Sequence, residues 1–130
     1  MIEFHLQPRS GVSPYLQLVH QVRQALRLGL LHEGDQLPTV KEVVSMVAIN
    51  PNTVLKAYRE LEHQGLVSAR PGVGTFVTGT LSDASLVEHA RLRRDLQRWL
   101  TKARLAGLND ESIEALFVNT FRSVGQADIA

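Results

Sequence analysis

The strongest constraint in this chain is a pair of helix starts set close together in its first half. Thr39 precedes Val40, Val43, Val44 and Val47, four apolar residues that repeat at helical spacing. Asn50-Pro51 follows after a tight turn through Ala48 and Ile49. Asn is a favoured cap, and proline at the first helical position loses no hydrogen bond because that N–H has no partner in a helix. The second of these helices continues to Gln64 and stops at Gly65, a residue suited to the left-handed backbone that ends helices. β-branched residues are poor helix formers, so the Val-rich helix depends on packing against its neighbours.

The flanking segments complete a pattern. Residues 2–6 alternate and read as a weak strand, and residues 9–13 are a polar loop. Ser13-Pro14 then starts a helix on which Leu16, Val19, Val22 and Leu26 recur, ending near Leu28. Gly34-Asp35-Gln36-Leu37-Pro38-Thr39 reads as a turn. Downstream, the apolar period shortens to that of strands: residues 66–70 and 75–78 flank Pro71-Gly72-Val73-Gly74, a β-hairpin. Two helices, a tight turn, a third helix and a hairpin make a winged helix-turn-helix. The expected fold is mainly α with a small β-wing, the winged domain covering residues 1–79.

Residues 80–130 read as a helical appendage. From Ser82 the chain is helical again, with Leu92, Leu96, Trp99, Leu100 and Ala103 in one stripe before Gly107. Asn109 caps a last helix carrying Ile113, Leu116, Phe117, Phe121 and Val124, and the tail after Gly125 is expected to fray. These stripes exceed what a small winged domain needs to bury. Leu92, Leu96, Trp99, Leu100, Ala103, Phe117 and Phe121 are therefore the expected dimerisation residues of a homodimer.

Composition excludes more than it specifies. The chain contains no cysteine, so it has no disulfide framework or thiol nucleophile, which fits a cytoplasmic protein. Its first residues lack the basic and apolar regions of a secretion signal, and no apolar run has the length of a membrane span. The histidines (5, 20, 32, 63 and 89) form no i, i+3 or i+4 pair, so neither a metal nor a cofactor is expected. No paired carboxylates, nucleophile–base set or phosphate-cradling glycine loop points to an enzyme. The net charge of +1 carries no basic excess, so any case for nucleic acid rests on where particular residues sit.

The third helix supplies that case. Val54, Ala57, Tyr58 and Leu61 share one face and belong to the core, while Asn52, Lys56, Arg59 and His63 cluster opposite. Asn suits bidentate contact with adenine, and Lys or Arg suits guanine or phosphate. The free N–H groups of the first turn, with Asn50 and Thr53 beside them, suit a phosphate. Lys41 stands against the positive end of the preceding helix, unfavourable unless an external anion is present. Arg70 at the foot of the hairpin and Gly72 at its tip suit a wing that meets DNA. The rival reading is a winged-helix protein-interaction module, which the near-neutral charge favours and the Asn52/Lys56/Arg59 face opposes.

Ordered blocks strengthen the DNA reading. Pro14-Tyr15-Leu16-Gln17-Leu18, Gly34-Asp35-Gln36-Leu37-Pro38, Asn50-Pro51-Asn52-Thr53-Val54, Ala57-Tyr58-Arg59-Glu60-Leu61-Glu62, Gly65-Leu66-Val67 and Gly72-Val73-Gly74-Thr75-Phe76-Val77 together resemble the GntR family of bacterial winged-helix regulators. The short two-helix tail resembles its YtrA-type branch. The resemblance implies a homodimeric repressor on a palindromic operator, often of a neighbouring transport operon. It places DNA contacts on Lys41, Asn50, Asn52, Thr53, Lys56, Arg70 and Gly72. A small-molecule effector would have to bind at the domain junction or the dimer interface. Two departures stand out. Pro38-Thr39-Val40-Lys41 replaces the usual Pro-Ser-Glu-Arg, so a planar guanidinium is lost at Lys41. Ala48 stands where the turn normally carries glycine, which is costly if that residue needs positive φ.

Overall fold

The structure is a computed structural model that describes residues 2–81 and 86–129. Contacts divide the chain into two compact units, Met1–Leu86 and Val87–Ala130.

The first unit contains α1 (Pro14–Arg27), α2 (Val40–Val47), α3 (Pro51–His63), β1 (Val67–Arg70) and β2 (Gly74–Val77). Each helix begins where a cap dictates. At α2 the capping box is complete: Thr39 Oγ1 accepts from the Glu42 N–H at 3.1 Å, and Glu42 Oε1 accepts from the Thr39 N–H at 3.1 Å. At α3 the Asn50 side chain accepts from the Asn52 N–H at 2.8 Å. Ser13 precedes α1 in extended geometry, but its hydroxyl makes no capping bond.

The three helices enclose a core of Leu18, Val19, Val22, Leu26, Leu37, Val43, Val54, Ala57, Tyr58 and Leu61, closed by Leu66, Val67 and Val77 of the wing. All four residues assigned to the inner face of α3 are buried. On α1 the buried stripe runs through Leu18, Val19, Val22, Ala25 and Leu26, and Leu16 lies at its half-buried edge. Tyr58 is anchored by its hydroxyl, which donates to the Pro38 carbonyl at 2.6 Å. Burial pushes this phenol above its ordinary pKa, and the Glu42 carboxylate adds to the rise.

Two segments differ from expectation. Residues 2–6 are not a strand. Side chains of α1 hold the backbone at residues 5 and 7: Gln21 receives the His5 N–H and donates to the His5 carbonyl, and Gln17 does the same for Gln7. Two glutamine amides thus supply bonds a neighbouring strand would have made, and Phe4 is buried in the core. Conversely, the segment read as a turn before Thr39 joins the wing. The Gly34 N–H donates to Val77, the Val77 N–H to Asp35 and the Leu37 N–H to Thr75, so residues 34–37 line the outer edge of β2.

The second unit holds α4 (Leu86–Leu105) and α5 (Asp110–Ile129). The expected helical start at Ser82 lies outside the described residues. Asn109 caps α5, its side chain accepting from the Ser112 N–H at 2.8 Å. Helix α5 does not end at Gly125 but continues to Ile129. One glycine costs a helix only about 1 kcal/mol, and this one is not in the positive-φ region that would stop it. Leu96, Trp99 and Leu100 of α4 share a groove with Ile113 and Phe117 of α5. Ala103 and Ile113 are buried within this unit. Ala103, expected in the dimerisation stripe, is 8% exposed in the single chain. Leu92, Leu96, Leu116, Phe117, Phe121 and Val124 remain exposed, Phe121 by 70%.

Candidate nucleic-acid interface

The site is built outward from the turn between α2 and α3. Helix α2 ends on Ala48, whose φ of 50° and ψ of 48° lie in the left-handed region. Among the described residues it is the one non-glycine with positive φ. The turn is thus the ordinary left-handed kind, made here with a residue whose Cβ opposes it. It delivers Ile49 into the core and Asn50 to the cap of α3.

From that cap, α3 presents a polar outer face. Asn52, Lys56, Arg59 and His63 are exposed, and Thr53 is half-buried at the edge. The side chains of Asn52, Thr53 and Arg59 have no polar partner among the described residues, and neither does Lys41 on the first turn of α2. These groups can meet a ligand without first breaking a bond in the protein. Asn50 differs, because its Oδ1 accepts the cap bond, which fixes the side chain, while its amide nitrogen has no partner among the described residues. Lys56 differs too: its Nζ lies 3.9 Å from the centroid of the Tyr15 ring of α1.

The wing closes the other side. Arg70 pairs with Gly74 at the end of the hairpin, and the loop between them holds Pro71, Gly72 and Val73. The Val73 N–H donates to Arg70 at 3.0 Å and Gly72 has φ of 75°, the arrangement of a type II turn with proline and glycine at its centre. The Arg70 guanidinium stacks on Phe76 at 4.5 Å, and the Gln36 amide donates to the Val73 carbonyl at 3.3 Å. Gly74 is required by that clamp, since a Cβ there would stand 2.4 Å from Gln36 Nε2. Glu62 ties the wing to α3, its carboxylate accepting from the Ala69 N–H at 2.7 Å.

Sequence reasoning named the outer residues but missed four that hold them: Tyr15, Gln36, Glu62 and Phe76. Phe76 was recoverable, because the hairpin register places it diagonal to Arg70 on one face of the sheet. Tyr15 and Gln36 are brought to the site by tertiary packing, which no spacing in the chain records. Acidic and imidazole groups form no cluster able to hold a metal among the described residues. Among the described residues, no helix is long and apolar enough to cross a membrane.

Comparison with known proteins fits this geometry. Residues 14–77, from α1 through the wing, match the model for bacterial regulatory proteins of the gntR family. The HTH-type transcriptional repressor YtrA of Bacillus subtilis is 33% identical over 110 residues, covering 83% of this chain and 84% of its own. The structure of YtrA from Sulfolobus acidocaldarius, a GntR-family transcription factor, superposes with a TM-score of 0.55 at 28% identity, covering 75% of this chain and 97% of its own. The N-terminal domain of AraR, solved in complex with a mutant ORR3 operator, superposes with a TM-score of 0.51 at 26% identity, covering 54% of this chain and 100% of its own. The chain belongs to the gntR family of bacterial regulatory proteins and is a winged helix-turn-helix, DNA-binding transcriptional regulator of the YtrA-type branch, not an enzyme.

Proposed function

We propose that the protein is a cytoplasmic repressor that binds a palindromic operator as a homodimer, with α3 in the major groove and the wing on the adjoining backbone. The observation that carries this reading is the polar face of α3, whose Asn52, Thr53 and Arg59 side chains have no polar partner among the described residues, on a helix packed against α2 and β1. In this reading Asn52 contacts a base edge. Lys41, Asn50, Thr53, Lys56, Arg70 and the Gly72 backbone meet the sugar–phosphate strands. The YtrA resemblance adds a neighbouring transport operon as the regulated target.

Dimerisation is assigned to an apolar face of α4 and α5 formed by the exposed Leu92, Leu96, Phe117 and Phe121 with the half-buried Trp99 and Leu100. Phe117 and Phe121 stack with centroids 6.0 Å apart, and the groove beside them encloses about 690 Å³. Apolar rings left in water are costly at about 25 cal/mol per Å², which supports a second copy as their cover. A small-molecule effector is assigned to the interface that these residues form with the second copy.

Selecting bound duplexes from a random pool tests the reading. The expected product is an inverted repeat whose half-sites are about 34 Å, one helical turn, apart. Recovery of no enriched sequence would return the domain to the protein-interaction reading.

A further inference from the structure

The contact between Lys56 and Tyr15 assigns a division of labour on the recognition helix. Lys56 lies one helical turn beyond Asn52, on the same outer face of α3. Its charge, however, is not aimed straight outward. Nζ sits 3.9 Å from the centre of the Tyr15 ring, over its π face. Tyr15 is half-buried in the first turn of α1, the helix that packs along the flank of α3. A lysine side chain is a flexible four-carbon stem that sweeps a wide volume when unrestrained. Here the ring draws its head sideways from the axis of Asn52 toward α1, and the negative ring face holds it there.

We infer that Tyr15 is a positioning residue that fixes Lys56 as a phosphate clamp at the flank of the groove and withholds it from the base edges. The inference rests on the DNA-binding reading above. A helix seated in a major groove has bases beneath its outward face and a phosphate strand along each side. A cation pulled to the side of the helix meets the strand. The contact on Tyr15 leaves the ammonium's three donors able to reach phosphate oxygens, because the ring occupies only one side of the head. Lys56 then contributes affinity without sequence preference, and discrimination along this face falls to Asn52. The polar residues of α3 thus divide between reading and holding, and the division is set by a residue of another helix.

The test is a double-mutant cycle on duplex binding, read against salt and against sequence with the full-length chain. Tyr15→Leu is expected to weaken binding about two- to fivefold, the cost of ordering one long side chain that the ring otherwise pre-organises, equally on the selected operator and on random duplex. Lys56→Met is expected to make the slope of log K against log salt shallower by about 0.9, the loss of one phosphate contact. In the double variant, Tyr15→Leu adds no further loss to Lys56→Met. Tyr15→Phe, which keeps the ring, is expected to restore most of the affinity that Tyr15→Leu loses.

Two results overturn the inference. One is a Tyr15→Phe variant as weak as Tyr15→Leu, which would make the hydroxyl a DNA contact in its own right. The other is losses that multiply in the double variant, which would make the two residues independent. Should Tyr15→Leu fail to fold, the ring current on the Lys56 ε-methylene protons of the wild-type chain gives the same answer. An upfield shift that persists when duplex is added supports the clamp, and one that vanishes overturns it. Asn52→Ala separates this failure from that of the underlying reading. If neither Asn52→Ala nor Lys56→Met alters duplex binding, the DNA assignment of α3 falls; if Asn52→Ala abolishes operator preference but the cycle shows no coupling, only the Tyr15 role falls.

Discussion

Replacing Ala48 by glycine should stabilise the winged unit, and the size of the gain follows from one pair of angles. At φ 50° and ψ 48° an L-residue brings its Cβ against the following carbonyl, a cost of about 1–2 kcal/mol that glycine does not carry. Glycine also widens the unfolded ensemble, which gives back about 0.4–1 kcal/mol. The Ala48 side chain is exposed, so removing it opens no cavity. The Ala48 N–H already donates to the Val44 carbonyl at 3.0 Å, a bond the backbone of glycine keeps. The balance is a net gain of about 0.5–1 kcal/mol, or roughly 2–8 °C in Tm for a unit of this size. Calorimetry of the full chain provides the measurement, with Ala48→Asn and Ala48→Val as graded companions. Asn tolerates the left-handed region and should fall between Ala and Gly, whereas β-branched Val should lower Tm. A lower Tm for Ala48→Gly, with Val no worse than Ala, would refute the claim that strain is held at this turn.

Further expectations follow from the same contacts. Tyr58→Phe leaves the buried Pro38 carbonyl without its donor and should cost about 1–3 kcal/mol in urea unfolding. The folded-state phenol pKa lies above the unfolded value of about 10, so the wild type keeps this contribution below pH 10 and loses it as pH rises further. The Phe variant should lack that alkaline loss, as pH-dependent unfolding would reveal. Asn52→Ala should cost about 1–3 kcal/mol on the selected operator and relax its sequence preference; an equal fall on random duplex would make Asn52 a phosphate contact. Arg70→Ala should weaken operator and random duplex together and flatten the salt dependence, and an unchanged slope would remove the wing from the interface. Phe121→Glu should convert a dimer to monomer in sedimentation at micromolar concentration, and a wild-type chain already monomeric there would remove the dimer itself.

Much of the fold was legible because its boundaries are written in local chemistry. Thr39, Asn50 with Pro51, Asn109 and the Pro71-Gly72 turn each satisfy or remove backbone groups within a few residues of themselves, so spacing alone exposes them. Residues that earn their place across the fold were not legible. Residues 2–6 carry the alternation of a strand, yet Gln17 and Gln21 take the bonds that strand pairing would have used. Residues 34–37 carry a turn's composition, yet the open edge of β2 recruits them. The outer face of α3 was legible from its period, but the restraint that Tyr15 places on Lys56 depends on how α1 packs against α3. Ala48 lies between these cases. The family pattern marked the position, and only the backbone angles show that the strain is present.

The pairing of residues 34–37 with β2 has a practical consequence for anyone exchanging wings among related regulators. A graft cut at residues 66–78 would carry the hairpin but leave its third row of hydrogen bonds behind. The Gly34, Leu37 and Val77 amides would lose their partners, and Gln36 would no longer hold the Val73 carbonyl. The transferable module is therefore discontinuous, with residues 34–37 moving together with the hairpin.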